Sequence, residues 1–209
     1  MINLQSTRKQ RQLTYGSSMC LIVLLISLAG CEAEEPTRED SPEIITTVTA
    51  TFTPLDGGGP VVGNAVDPDA EGIRDIETDG PVVLKKGTVY MLTLGLYNDL
   101  ADANSAEHDI SAEVEEEGDE HALFFGWTGD IFANPTGDGN IDSREDPVIY
   151  EDTDVNDLPL GLKTRWTTAD QSSGTFRILL KHQPDLKSET STADMGETDL
   201  DVSFSIRIE

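Results

Sequence analysis

The chain has three histidines among 40 acidic side chains, which confines imidazole chemistry to a few places. "EVEEEGDEHALFF" (113 to 125) sets Glu117 and Glu120 beside His121 at the head of an apolar run, and "LLKHQPDLK" (179 to 187) sets His182 at the tail of another. If the two runs are neighbouring antiparallel strands, both imidazoles come to the same end of a sheet. His121 and His182 with Glu117 or Glu120 then suit Zn²⁺, Cu²⁺ or Fe²⁺, because borderline metals prefer imidazole and accept carboxylate. The same residues also suit strand ends whose histidines are half exposed and favoured in the charged form by nearby acids. His108, in the polar "NSAEHD", reads as a surface residue.

A second chemistry belongs to the acidic loops. "NPTGDGNIDSRE" (134 to 145) resembles a calcium loop of the EF-hand kind: Asn134, Thr136, Asp138, Asn140, Asp142 and Glu145 fall at ligand positions, with Gly139 at the sharp turn. Alternate residues of a tight loop can offer a hard dication its oxygens from one side. "EDTDVND" (151 to 157) repeats the spacing with Asp152, Asp154 and Asn156, and "DPDAEGIRD" (67 to 75) with Asp67, Asp69 and Glu71. Pro135 and Pro147 exclude the helices that flank an EF-hand, so the likeness covers the loop only. An ordinary turn on an acidic surface uses the same residue types.

Charge narrows the partners. With 14 basic against 40 acidic side chains and a formal charge of -26, the chain repels nucleic acid and offers no polybasic patch to anionic lipid. Catalytic signatures are lacking in the sequence: it has no H-E-x-x-H, no G-x-S-x-G and no glycine-rich phosphate loop, and the reading is a protein that is not an enzyme.

The first thirty residues read as an export leader. Arg8, Lys9 and Arg11 precede the ten-residue apolar stretch "MCLIVLLISL" (19 to 28), too short to span a bilayer. "LAGC" (28 to 31) resembles the lipobox of bacterial lipoproteins, which implies lipidation of Cys31. The other cysteine, Cys20, falls in the leader, so no disulfide is expected. Residues 31 to 43, "CEAEEPTREDSPE", are acidic, contain two prolines and lack apolar periodicity, as a solvated tether would. Acids behind the lipidated cysteine also resemble a surface-export signal of Bacteroidota lipoproteins.

From residue 44 to the end the pattern is that of strands. "IITTVTATFTP" (44 to 54), "TVYMLTLGLYN" (88 to 98), "GTFRILLKHQ" (174 to 183) and "DLDVSFSIRIE" (199 to 209) are rich in β-branched and aromatic residues, the last alternating from Leu200 to Ile208. Shorter candidates are "PVVL" (81 to 84), "DISAEVEE" (109 to 116), "HALFFGW" (121 to 127), "PVIYE" (147 to 151) and "LGLKTRWTT" (160 to 168). The expectation is an all-β domain over 44 to 209, an immunoglobulin-like antiparallel β-sandwich with acidic loops and no more than short helical turns. Trp127, Trp166, Phe124, Phe125 and Tyr90 would fill its core.

The stretches "ITTVTATF", "LKKGTVYMLTLGLYN", "EVEEEGDEHALFF", "DTDVNDLPLGLKTRWTT", "GTFRILLKHQPDLK" and "GETDLDVSFSIRI" together resemble a poorly characterised family of Bacteroidota outer-membrane lipoproteins. That resemblance implies a lipid-anchored capture or docking module accompanying a TonB-dependent receptor, on the outer membrane and facing the cell surface or the periplasm. It also implies a shared site at Glu117, His121 and His182. Two functions follow: binding of a metal or metal-bearing small ligand with calcium-stabilised loops, or docking of another envelope protein with no small ligand.

Overall fold

The computed structural model describes residues 43–68, 76–143, 145 and 147–209. The leader, Cys31, the tether up to residue 42, and Asp69 and Glu71 lie outside the described residues. Ten strands and one α-helix follow in chain order: β1 (Thr47–Pro54), β2 (Val61–Val66), β3 (Glu77–Thr78), β4 (Val82–Leu84), β5 (Val89–Tyr97), α1 (Ile110–Glu116), β6 (His121–Trp127), β7 (Phe132–Asn134), β8 (Lys163–Thr168), β9 (Ser172–His182) and β10 (Glu197–Ile208). They form a six-stranded sheet in the order β3-β2-β1-β5-β8-β7 and a four-stranded sheet in the order β4-β10-β9-β6.

Period-two burial explains how the sheets face each other. Val48, Ala50 and Phe52 of β1, Leu92, Leu94 and Leu96 of β5, and Val202, Phe204, Ile206 and Ile208 of β10 all enter one core. Trp166 lies at its centre, fully buried, with ring centroids 4.9 Å from Phe176 and 5.3 Å from Trp127. Each such side chain contributes roughly 1.5 to 3 kcal/mol by leaving water. Of the aromatics expected inside, Phe124 alone points the other way, joining Ala122, Leu179 and Ala193 in a small cluster on the far face of the four-stranded sheet.

The immunoglobulin-like, purely antiparallel sandwich is corrected by three features. The two sheets share no strand and remain open at their edges. β4 pairs with β10 in parallel. "DISAEVEE", expected as a strand, is the helix α1. Its seven residues bury Ile110 and Val114, four apart, and Asp109 caps it by accepting from the Ala112 amide at 3.3 Å. Ser111 Oγ accepts from the Leu96 amide at 2.7 Å, tying the helix to β5. The molecule is therefore a β-rich domain of two open, facing sheets with one packed helix. "PVIYE" contributes only an isolated bridge, Tyr150 to Thr164. β2, unmarked in the sequence because Gly63 and Asn64 dilute its pattern, passes so close to β4 that a Cβ at Gly63 would lie 2.5 Å from Val82.

β6 is an edge strand, and residues 138 to 140 cover it. The Asn140 amide donates to the Phe125 carbonyl at 2.8 Å and the Trp127 amide to the Asp138 carbonyl at 2.8 Å. Asn140 Oδ1 accepts from the Phe125 amide at 2.9 Å, while its Nδ2 donates to Tyr150 Oη, which donates in turn to the Leu123 carbonyl. Such cover removes an exposed row of strand donors and acceptors. Gly139 is required twice over: its φ is +107° and a Cβ there would sit 2.0 Å from the Phe125 carbonyl oxygen. Gly139→Ala should therefore cost at least about 2 kcal/mol, measured by urea denaturation, whereas a positive-φ turn glycine without the Phe125 contact would lose only about 1 kcal/mol.

Candidate metal centre

The register of two strand pairs assembles the site. His121 and His182 lie directly opposite each other across β6 and β9, and His182 lies opposite Glu197 across β9 and β10. His121 shares its face with Leu123, Phe125 and Trp127, so it points into the end of the inter-sheet core rather than to solvent. The two imidazoles stack with centroids 4.7 Å apart and planes 10° apart. Past Thr198 the register of β10 slips, since Thr198 pairs with Lys181 and Leu200 with Leu180, leaving Asp199 as the extra residue of a bulge. The bulge turns Asp199 inward beside Leu200, breaking the alternation of the strand.

Two further segments close this end of the core. Glu117 is the C-cap of α1, and its backbone carbonyl lies 3.1 Å from His121 Nδ1. Glu43 arrives on the segment that leads into β1. Ligand atoms of Glu43, Glu117 and His121 all fall within 4.8 Å of one another, with the histidine buried and both glutamates half buried. One imidazole and two carboxylates at that spacing could coordinate a divalent metal ion.

His182 and Glu120 go elsewhere: His182 Nε2 meets Glu120 Oε2 at 3.4 Å, at the edge of the site. The sheet thus brings the two histidines together, but the carboxylates around His121 are Glu43 and Glu117. Glu43 was invisible as a partner because it lies 78 residues from His121 and read as tether. Asp199 was missed because alternation assigned it to the solvent face with Asp201.

Electrostatics at His121 and Asp199 are unusual. His121 Nε2 stands 3.9 Å from Asp199 Oδ2, both side chains fully buried. Among the described residues, neither that nitrogen nor either Asp199 oxygen has a hydrogen-bond partner at full bonding geometry. Burial pushes the His121 pKa down to about 4, opposed by the Glu117 carbonyl and reinforced by the charge of His182. Burial pushes Asp199 up to about 6, against the pull of His182 and of the Glu43 backbone amide.

Comparisons with protein-family models, with curated proteins and with solved structures return no match.

The 151 to 157 loop spends the carboxylates of Asp152 and Asp154 on the chain itself. Asp152 accepts from the Gly161 and Lys163 amides, each at 2.9 Å. Asp154 Oδ1 accepts from the Asn156 and Leu158 amides, and its Oδ2 lies 2.9 Å from Lys187 Nζ in a buried pair. Lys187 also donates to the Gly118 carbonyl, so this pair ties the 151 to 158 loop to the turn that follows α1. Asn140 serves the β6 edge, whereas Asn134, Thr136, Asp138, Asp142, Glu145 and Asn156 are exposed.

Opposite pH dependences follow from the two buried groups. Stability from protonated Asp199 is full below about pH 4 and is lost as pH rises through about 6. Stability from neutral His121 is full above about pH 6.5 and is lost as pH falls through about 4. The two nearly offset in the metal-free protein. Asp199→Asn removes the first alone, so in urea denaturations with EDTA it should exceed the wild type by on the order of 3 kcal/mol above pH 6. That advantage should shrink toward pH 4; an equal difference at pH 4 and pH 7 would contradict an ionised, buried Asp199.

Proposed function

We propose that this chain is a non-catalytic, metal-binding lipoprotein of the outer membrane, anchored through Cys31 and accessory to an uptake receptor of the TonB-dependent kind. The observation that carries the binding role is the convergence of Glu43, Glu117 and His121 at the closed end of a hydrophobic core. Two carboxylates gathered this close repel each other, and a cation held between them and the imidazole would relieve that repulsion. Imidazole in the donor set favours Zn²⁺ or Fe²⁺ over Ca²⁺ or Mg²⁺, which take oxygen alone. The anchor and the receptor rest on the lipobox-like "LAGC" and on the family resemblance of the strand segments.

The acidic loops have a different part in this reading. Asp152 and Asp154 accept from backbone amides and a lysine, and Asn140 accepts from the Phe125 amide and donates to Tyr150, so calcium is not needed to place these three residues.

Elemental analysis and calorimetry on the EDTA-stripped, dialysed protein test the proposal. One equivalent of Zn²⁺ or Fe²⁺ should bind, Glu117→Gln and His121→Ala should each weaken it at least about tenfold, and millimolar Ca²⁺ should leave the melting temperature unmoved. Stoichiometric binding that survives in the Glu43→Gln, Glu117→Gln, His121→Ala triple variant would remove the site from consideration. A calcium-dependent rise in melting temperature would instead return the ion to the 134 to 145 loop.

A further inference from the structure

We infer that Asp199 is a further ligand of the same ion, which binds at Nε2 of His121 and draws the Asp199 carboxylate in; this rests on the metal-binding reading above. The tautomer points the same way. Nδ1 of His121 faces a backbone carbonyl at 3.1 Å and must carry the proton that donates to it, which leaves a lone pair on Nε2. A ligating histidine commonly uses its other ring N–H in this manner, to fix its orientation. Nε2 then faces Asp199 Oδ2 across 3.9 Å, two acceptors with nothing to share.

Three buried acceptor atoms that lack partners among the described residues, one nitrogen and two oxygens, are what a cation would satisfy at once. The gap is wider than the roughly 3.0 to 3.4 Å that separates two ligand atoms on an ion with bonds of about 2.0 to 2.1 Å. A closure of about half an ångström to one ångström would bring Asp199 Oδ2 to that distance from His121 Nε2; Asp199 stands outside the group of Glu43, Glu117 and His121 whose ligand atoms lie within 4.8 Å of one another, so it must also draw nearer to the glutamates. A bulge can make that movement more readily than a residue locked in a regular ladder, and here the bulge is also what aims the side chain. The completed set, one imidazole and three carboxylates from four separate segments, would suit Fe²⁺, Zn²⁺ or Mn²⁺ rather than a thiolate-seeking ion.

Co²⁺ is the probe, because its visible absorption reports coordination as well as occupancy. The EDTA-stripped wild type should bind one Co²⁺. Asp199→Asn should weaken binding about ten- to a hundredfold and change the absorption envelope, even though removal of an unpaired buried charge leaves the metal-free variant no less stable than the wild type. Loss of affinity without loss of stability separates a ligand from a residue that merely supports the fold. Asp199→Ser gives the same test should the asparagine variant lose its circular dichroism spectrum. Wild-type affinity and spectrum in Asp199→Asn, with binding lost in Glu117→Gln, would overturn this inference and leave the Glu43, Glu117 and His121 site standing. A wild type that takes up no Co²⁺ would overturn both.

Discussion

The pairing of β9 with β6 on one side and β10 on the other is the constraint on which the rest depends. It runs through the centre of the four-stranded sheet and fixes which side chains enter the core at each level. At most levels those side chains are Phe176, Ile178 and Leu180 against Phe125, Leu123 and Val202, and the pairing is simply a core being built. At its last level the same alternation delivers His121 and His182 inward as buried polar groups. A one-residue slip would send both histidines to the opposite face. The site is therefore a consequence of register, and register is enforced by some of the largest apolar side chains in the molecule.

Closure of that end falls to elements outside the two large sheets' regular pairings. The helix α1 returns the chain from β5 to β6 and leaves Glu117 at its C-cap, while the turn at Gly118 receives Lys187 from the loop after β9. The Lys187 to Asp154 pair, buried on both sides, joins that loop to the loop before β8. A buried ion pair of this kind adds little net stability but is costly to break singly, since the surviving charge would be stranded. Its effect is to fix several loops in one arrangement about the histidine end. The acidic composition, which first suggests a surface waiting for calcium, is in this region largely a scaffold of carboxylates that cap amides.

Asp199 departs from this economy of matched groups. Among the described residues its oxygens meet no donor at full hydrogen-bond geometry, although the Glu43 backbone amide and Lys181 are close enough to act on its charge. Natural folds tolerate such an uncompensated group chiefly where it does something. A bulge in an otherwise regular twelve-residue strand, placed at the one residue whose inward turn makes the mismatch, is consistent with that principle.

The sequence by itself determined the long strands, because period-two burial over eight or more residues has one solution, and it determined that His121 and His182 sit at strand ends. It also placed Trp127, Trp166, Phe125 and Tyr90 in the core, since volume and apolarity leave large rings few places to go. What it left open was set by contacts between distant segments. Ile110 and Val114 satisfy either a strand or a helix over so short a run, and the Asp109 cap and the face offered by β5 decided for the helix. Gly139 and Asn140 have the residue types of a calcium loop, yet the open edge of β6 made them an edge cover. Asp199 reads as an outward residue until a bulge, invisible to periodicity, turns it in. Glu43 gains meaning only when the chain folds back beside residues 74 and more positions later. Spacing along a chain records local periodicity, whereas a metal centre depends on through-space distances between segments, and those are fixed only when the whole core packs.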